Sequence, residues 1–164
     1  MNLSHMNINR RFAGIVMSLL VVIGCNRDSS WQARTYPVTG TITINDISPQ
    51  DAVLMLYPTG EKLDMRDSKS WGLVKEDGSY ELSTYGLGDG APASSYVVTL
   101  TWPQGTRLYP VDRLDGKFAN PDNPVTEIQI KPGRNTLPPI TLSNVKILPT
   151  PLNNEFFTPG LPSN

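Results

Sequence analysis

From Val38 onward the apolar residues fall in short, mostly alternating runs, separated by stretches rich in glycine, proline, asparagine and aspartate. No run lengthens into a helical period. A chain patterned with period two can bury its apolar residues only in β-sheet, because successive side chains on a strand leave opposite faces. With fifteen prolines and thirteen glycines among 164 residues, the strands must be short and the turns many.

The first run, Val38-Thr39-Gly40-Thr41-Ile42-Thr43-Ile44, places Val38, Ile42 and Ile44 on one face and three threonines on the other, which describes a strand with one wet face. After the turn-like stretch 45–51, the run Ala52 to Tyr57 is apolar on both parities and reads as a strand covered on both sides or near a sheet centre. A polar loop, Thr59 to Ser70, follows. Trp71 to Lys75 and Ser79 to Thr84 flank Glu76-Asp77-Gly78, a hairpin signal because glycine tolerates positive φ. Tyr80, Leu82 and Thr84 share a face there. Tyr96, Val98, Leu100 and Trp102 then alternate with Val97, Thr99 and Thr101. A long connection from Pro103 to Pro124 is of the kind that is functional or crosses between sheets. Val125 to Ile130 and Thr136 to Leu142 complete the set, joined by Lys131-Pro132-Gly133-Arg134. Pro138 and Pro139 mark the last strand as an edge or a bulged strand. Seven short strands so spaced predict an all-β, seven-stranded antiparallel β-sandwich.

The amino terminus is built differently. Arg10 and Arg11 precede an uncharged stretch from Phe12 to Ile23, then small Gly24, the three parts of a secretory signal. The stretch is short for a membrane span. Cys25 is the only cysteine and follows it directly. Val22-Ile23-Gly24-Cys25 resembles the lipobox of bacterial lipoproteins, with Val22 where leucine is preferred. The resemblance implies a diacylglyceryl group on the Cys25 thiol, removal of residues 1–24 and an acylated new amino terminus. Two or three acyl chains exceed what stable anchoring needs, each buried methylene contributing about 0.8 kcal/mol. An uncleaved anchor helix, or an ordinary signal with an incidental cysteine, is the other reading, and it too exports the bulk of the chain. The expected organisation is a lipoprotein signal over 1–24, a lipidated tether over 25–34, the sandwich over 35–142 and a proline-rich extension over 143–164. Within that extension, packing is expected near Val145 to Leu148 and disorder beyond Pro159.

Cleavage narrows the chemistry. His5, the only histidine, would leave with the signal and Cys25 would become a thioether. A chain without imidazole or free thiol has no Ser-His-Asp triad, no Cys-His pair, no imidazole-based zinc or iron site and no internal disulfide. The remaining chain of roughly 140 residues suits one domain with one core. Fourteen Lys and Arg stand against fifteen Asp and Glu, and losing Arg10 and Arg11 makes the balance more acidic. Nucleic acid is therefore not an expected partner.

Val38-Thr39-Gly40-Thr41-Ile42, Asp77-Gly78-Ser79-Tyr80-Glu81-Leu82, Gly88-Asp89-Gly90-Ala91-Pro92 before Tyr96-Val97-Val98-Thr99-Leu100, and Gly133-Arg134-Asn135 together resemble the carboxypeptidase regulatory-like family. Its members are transthyretin-like (prealbumin-like) seven-stranded sandwiches, carried singly by small bacterial lipoproteins. Asp112-Arg113-Leu114-Asp115-Gly116-Lys117-Phe118 and Asn120-Pro121 look like that lipoprotein group as well. The resemblance covers about Thr35 to Leu142, implies the fold and specifies no ligand. The turn after the first strand departs from it by lacking Gly-Lys-Pro. Enzymatic relatives do not carry over. Hydroxyisourate hydrolases need histidines and a Tyr-Arg-Gly-Ser end, and intradiol dioxygenases hold iron with two tyrosines and two histidines.

Asp112, Asp115 and Asp122 are oxygen donors of the kind calcium takes, but their spacing is not that of an EF-hand, and aspartates before Gly or Pro are ordinary turn residues. Glu76 and Asp77 are adjacent on a hairpin tip, where glycosidase carboxylates do not converge. Gly86-x-Gly88-x-Gly90 lacks the helix and lysine of a phosphate loop. Among Trp71, Tyr85, Trp102 and Tyr109, parity assigns Trp102 to the core, as it does Tyr80. Tyr85 and Tyr109 are the loop aromatics a sugar or peptide would stack on. The sequence thus points to a lipid-anchored, exported, non-catalytic β-sandwich at the cell envelope, with Cys25 as lipidation site and no metal or cofactor. Its partners would be the membrane, through the anchor, and an envelope protein or polysaccharide. A carbohydrate-binding module using Tyr85 and Tyr109, and a carboxylate-dependent hydrolase, are the other classes.

Overall fold

A computed structural model describes residues 29–106 and 109–149. Cys25, the signal and the tail beyond 149 lie outside them. The chain divides into two units, Met1–Ser30 and Trp31–Asn164, and the β-domain belongs to the second. Among the described residues there is no helix, and so none long and apolar enough to cross a membrane.

The strands are β1 (Thr35–Tyr36), β2 (Val38–Ile44), β3 (Val53–Pro58), β4 (Ser70–Leu73), β5 (Ser79–Ser83), β6 (Ala91–Pro92), β7 (Ser94–Thr101), β8 (Pro103–Thr106), β9 (Tyr109–Asp112), β10 (Thr126–Ile130), β11 (Asn135–Thr136) and β12 (Ile140–Leu142). The main sheet is eight-stranded, ordered β10-β7-β3-β4-β5-β2-β11, with β12 also on β2. β4 and β5 share a register of only two residue pairs, Trp71 with Ser83 and Gly72 with Leu82. At that short joint the sheet turns, and β5-β2-β11/β12 faces β10-β7-β3-β4 as the second layer of a sandwich. The result is close to a closed barrel, open between β10 and β12.

Parity explains the core. In β2 the residues Val38, Ile42 and Ile44 are buried while Thr41 is exposed. From the facing layer Leu54 and Leu56 of β3 lie beside Leu100 and Val98 of β7, their antiparallel partners. β3 sits inside its layer with a neighbour on each side, which accounts for an apolar run on both parities. Trp102, directly after β7, enters the core, 3% exposed, and its indole N–H donates to the Gln50 carbonyl at 2.8 Å. Burying an indole requires such an acceptor.

Turn chemistry fixes the register. Asn45 and Asp46 have φ of 50° and 65°, and Ile44 and Ile47 exchange both backbone hydrogen bonds across them. That is a two-residue turn of the type that needs two left-handed residues, a conformation Asn and Asp tolerate. At the other hairpin the Gly78 amide donates to Lys75, the Lys75 amide to Ser79, and the Asp77 carboxylate accepts from Ser79. Gly78 has φ of 81°, and a Cβ there would stand 2.8 Å from the Ile42 carbonyl oxygen. The Asp-Gly signal therefore marks both a backbone conformation and a close approach.

The all-β sandwich expected from the sequence is the architecture found, with three differences. β11 and β12 pair with β2 in parallel, not antiparallel, because the chain reaches them from the far layer and arrives running the same way as β2. The single last strand expected over 136–142 is two pieces, since Pro138 and Pro139 offer no amide hydrogen to a ladder. The connection from Pro103 to Pro124 contains the β8–β9 hairpin and a turn whose Leu114 and Phe118 enter the core.

Both ends of the domain are docked. Among the described residues, contacts reach back beyond the Thr35 boundary, with the Trp31 carbonyl accepting from the Met65 amide. At the other end Val145 is buried, and its amide and carbonyl both bond the side chain of Asn45, at 3.0 and 2.7 Å. Arg113 holds the following segment, its carbonyl accepting from the Leu148 amide and its Nε donating to the Leu148 carbonyl. Replacing Asn45 by Ala is expected to lower stability by about 1–3 kcal/mol, the range for stranding buried backbone groups. It also removes the acceptor of the Val145 amide, so hydrogen exchange at Val145 should accelerate more than at Leu100.

Candidate functional site

Tyr85 lies at one end of the sandwich, where the loop 59–69, the loop after β5 and the chain entering β1 meet. Its ring meets Trp31 edge-on, centroids 5.3 Å apart at 86°, and Arg66 lies over the other aromatic, 3.8 Å from the Trp31 centroid. The Tyr85 hydroxyl donates to Asp64 at 2.7 Å and accepts from the Ala33 amide at 2.9 Å. Asp64 also accepts from the amides of Arg66 and Ser68. Partial burial pushes the Asp64 carboxyl upward, but the hydrogen bonds from Tyr85, Ser68 and Arg66 outweigh it and hold the group at about 2. Burial, aided by the bond to Asp64, pushes the Tyr85 hydroxyl up to about 12. The ring offered by the sequence as a stacking surface is thus the pin of a latch joining three segments. Tyr109 opens β9, and its side chain lies outside the described part of the structure.

The glycine-rich loop that follows is organised by Asp89. Its carboxylate accepts from the amides of Thr84, Tyr85 and Gly86 at 2.7, 3.0 and 3.1 Å. Three converging amides make a concavity that suits an anion, and here the chain's own carboxylate fills it. Asp112 works the same way in the turn after β9, accepting from Trp102, Leu114 and Gly116. Arg113 lies over the Trp102 ring, 4.1 Å from its centroid. Asp112 therefore serves the turn rather than converging with Asp115 and Asp122. No group of three or more His, Cys, Asp or Glu side chains placed to hold a metal occurs among the described residues. Glu81, not Glu76, takes part in the ion pair at the β5 hairpin, with Lys75 at 2.7 Å.

A concavity lies elsewhere, in the open seam between β10 and β12. A cavity of about 220 Å³ there is lined by Val125 to Ile128 from one side, Leu137 to Leu142 from the other, and Tyr80. Tyr80 is 2% exposed, and its hydroxyl is the one buried side-chain polar atom among the described residues with no hydrogen-bond partner. Burial pushes that hydroxyl up to about 12. Its position follows from Gly40, its partner across β2 and β5. A Cβ on Gly40 would stand 2.4 Å from the Tyr80 hydroxyl oxygen and 2.5 Å from the carbon bearing it. Only a glycine lets the ring lie flat across β2. Sequence parity put Tyr80 on the inward face but did not single it out. The signal available was an isolated glycine inside a strand pattern, which marks close approach.

No family model matches the chain, and no curated protein matches it. Among solved structures, it is similar to that of a DUF3823 family protein from Parabacteroides merdae ATCC 43184, with a TM-score of 0.37 and 14% identity. The match covers 71% of this chain and 48% of that one, so the chain spans about half the length of that protein.

Two outcomes follow from the latch and the loop. The folded Asp64 carboxyl lies below the ordinary 3.8, so its ionised form contributes stability above about pH 4 that is lost as pH falls through about 2. Tyr85→Phe removes the largest bond lowering it and should flatten that acid limb in urea titrations run from pH 2 to 7. At neutral pH the same change should cost about 1 kcal/mol for a half-buried bond. Asp89→Ala strands three amides and should cost about 2 kcal/mol, read as a lower denaturation midpoint at unchanged slope.

Proposed function

We propose that this chain is a lipid-anchored, exported, non-catalytic β-sandwich module that holds a binding surface at the cell envelope, of the carboxypeptidase regulatory-like, transthyretin-like kind. The observation that carries the reading is the position of Cys25. It directly follows an uncharged run headed by Arg10 and Arg11, and the folded domain already makes contact at Trp31. Only a few residues then separate acyl chains from a docked indole. The anchor would then tether the domain to the membrane by its amino-terminal end.

The non-catalytic part of the reading is supported by what the loop carboxylates do. Asp64, Asp89 and Asp112 each accept hydrogen bonds from amides of their own loops. A carboxylate committed in this way is a poor general base, because catalysis needs a group free to take and return a proton. The engagement of the Tyr85 hydroxyl on both sides likewise favours a structural role over sugar stacking at that ring.

The deciding experiment is the intact mass of the protein purified from membranes of its native host, beside Cys25→Ser. The expected result is a chain beginning at Cys25 and carrying acyl groups, with both the acyl mass and membrane retention lost in the variant. An unmodified mass that still includes residues 1–24 would overturn the anchored reading.

A further inference from the structure

We propose that the outward face of β7, β3 and β4 is an interface between two copies of this chain, packed face to face about a two-fold axis that runs along the strands between β7 and β3. On β3 the outward residues are Val53, Met55 and Tyr57, alternating with the buried Leu54 and Leu56. Their partners on β4 are Leu73 and Trp71, the first two residues of β3 being those so paired, and on β7 they are Thr101, Thr99 and Val97. Six of these side chains are apolar; five are half-buried and Leu73 is 46% exposed. None of the six is among the described residues packed on the core. The solvated face of an antiparallel sheet is ordinarily polar, and six apolar residues standing side by side on one mark a contact surface.

What covers it follows from how the face is divided. Its β3 and β4 half carries the bulky Met55, Tyr57 and Trp71, whereas the β7 half carries Val97, Thr99 and Thr101. Charge is divided along the same line. Glu127 of β10 stands beside Val97, and Lys69 lies over the Tyr57 ring, 5.7 Å from its centroid. One row across the sheet therefore reads Glu127, Val97, Tyr57, Lys69, with a carboxylate at one end and an ammonium at the other. Half a turn about the line between β7 and β3 lays the bulky half of each copy on the small half of the other. Tyr57 meets Val97, Met55 meets Thr99, and Glu127 meets Lys69 at both edges. Trp71 falls where β10 has not begun, because that strand starts at Thr126 and Val125 packs on the core.

A surface that complements itself in both size and charge fits a second copy better than a saccharide or an unrelated protein, which would have to match both divisions by chance. Sheets packed in this way are aligned within about 30° and stand about 10 Å apart, a gap that facing Lys and Glu side chains together span. Lys69 already bonds Asp67 at 2.9 Å, and an ammonium has further donors to give. Strands about 4.8 Å apart, with outward residues about 6.8 Å apart along each, make the face roughly 15 by 20 Å. That is the small end of specific interfaces, so the pair is weak and is read by trapping it at high concentration.

The proposal goes beyond the anchored reading and does not use it. Ser95 is exposed on the same face, two residues before Val97 and next to the axis, so Ser95→Cys in one copy comes within reach of Ser95→Cys in the other. The purified full chain carrying that change is treated with an ethylene-bridged bismaleimide at about 1 mM, where a pair of millimolar affinity is substantially formed. A covalent dimer joined through position 95 is expected. The mass of the linked peptides separates it from a dimer joined through an unmodified Cys25, so a failure of lipidation is read apart from a failure of the interface. Thr41→Cys, exposed on β2 in the opposite layer, is expected to give no dimer. With Ser95→Cys in place, Glu127→Lys should lower capture about three- to tenfold, the equivalent of two exposed ion pairs, and adding Lys69→Glu should restore it. Restoration by charge exchange is something a merely destabilised fold would not show. Trp71→Glu and, separately, Val97→Lys should abolish capture in chains that keep their thermal transition. The proposal is overturned if Ser95→Cys yields no dimer at that concentration, if Thr41→Cys is captured equally, or if the charge exchange fails to restore what Glu127→Lys removes. Capture that survives both Trp71→Glu and Val97→Lys overturns it as well.

Discussion

Everything in this domain depends on one sheet burying one of its faces against itself. Eight strands joined edge to edge have no second sheet to pack on, so the sheet must turn, and it does so where β4 and β5 share only two residue pairs. The turn brings Val38, Ile42 and Ile44 over Leu54, Leu56 and Leu100, and all six are essentially excluded from water. Each large aliphatic side chain removed from water contributes about 1.5–3 kcal/mol, far more than any surface contact described above. The two layers also need size complementarity. Tyr80 is too long to stand upright in such a core, and the missing side chain of Gly40 lets it lie flat across its neighbour. Bulk on β5 and its absence on β2 are one packing decision made at two positions.

The loops follow from a different constraint. Tight turns between short strands leave backbone amides pointing into the loop, and these need acceptors once water is partly excluded. In four places the acceptor is an aspartate a few residues away: Asp64, Asp77, Asp89 and Asp112. The arrangement closes each loop on itself and spends the carboxylates that a catalyst would keep free. The same economy accounts for the docked ends. Asn45, held in a left-handed conformation by its turn, points its amide group at Val145, a hundred residues on. A single residue thus serves the turn through its left-handed backbone and the segment that leaves the sandwich through its side chain.

Much of the fold was legible because it was local. Alternation in Val38–Ile44 and Tyr96–Trp102 defined strands whose inward apolar residues are buried, and Asp77-Gly78 marked a hairpin that the backbone confirms with a positive φ. What was not legible was whatever depends on who lies beside whom. The parallel pairing of β11 and β12 with β2 leaves no trace in their own residues, since a strand of two or three residues has too little pattern to state a direction. The β8–β9 hairpin was hidden because Pro103 and Pro110 sit within its strands, where proline ordinarily argues against one. Tyr85 was noticed as a loop aromatic, but its commitment to Asp64 and Ala33 required partners 21 and 52 residues away. Tyr80 was placed on the correct face, and its unspent hydroxyl is a property of the surroundings that no parity argument contains.

The open seam raises the question of why the sheet does not close. An unpaired edge invites pairing with another chain, and natural sheets blunt such edges with charge, proline or extreme shortness. All three devices are present on the two sides of the gap. β10 carries Glu127 exposed toward solvent; β11 and β12 are two and three residues long; and Pro138 with Pro139 removes two amide hydrogens between them. The prolines that interrupt the last strand therefore also keep it from pairing across to β10, so the seam stays a cavity instead of becoming a ladder. A gap held open by the same residues that protect its edges is a stable feature of this fold rather than a strand that failed to form.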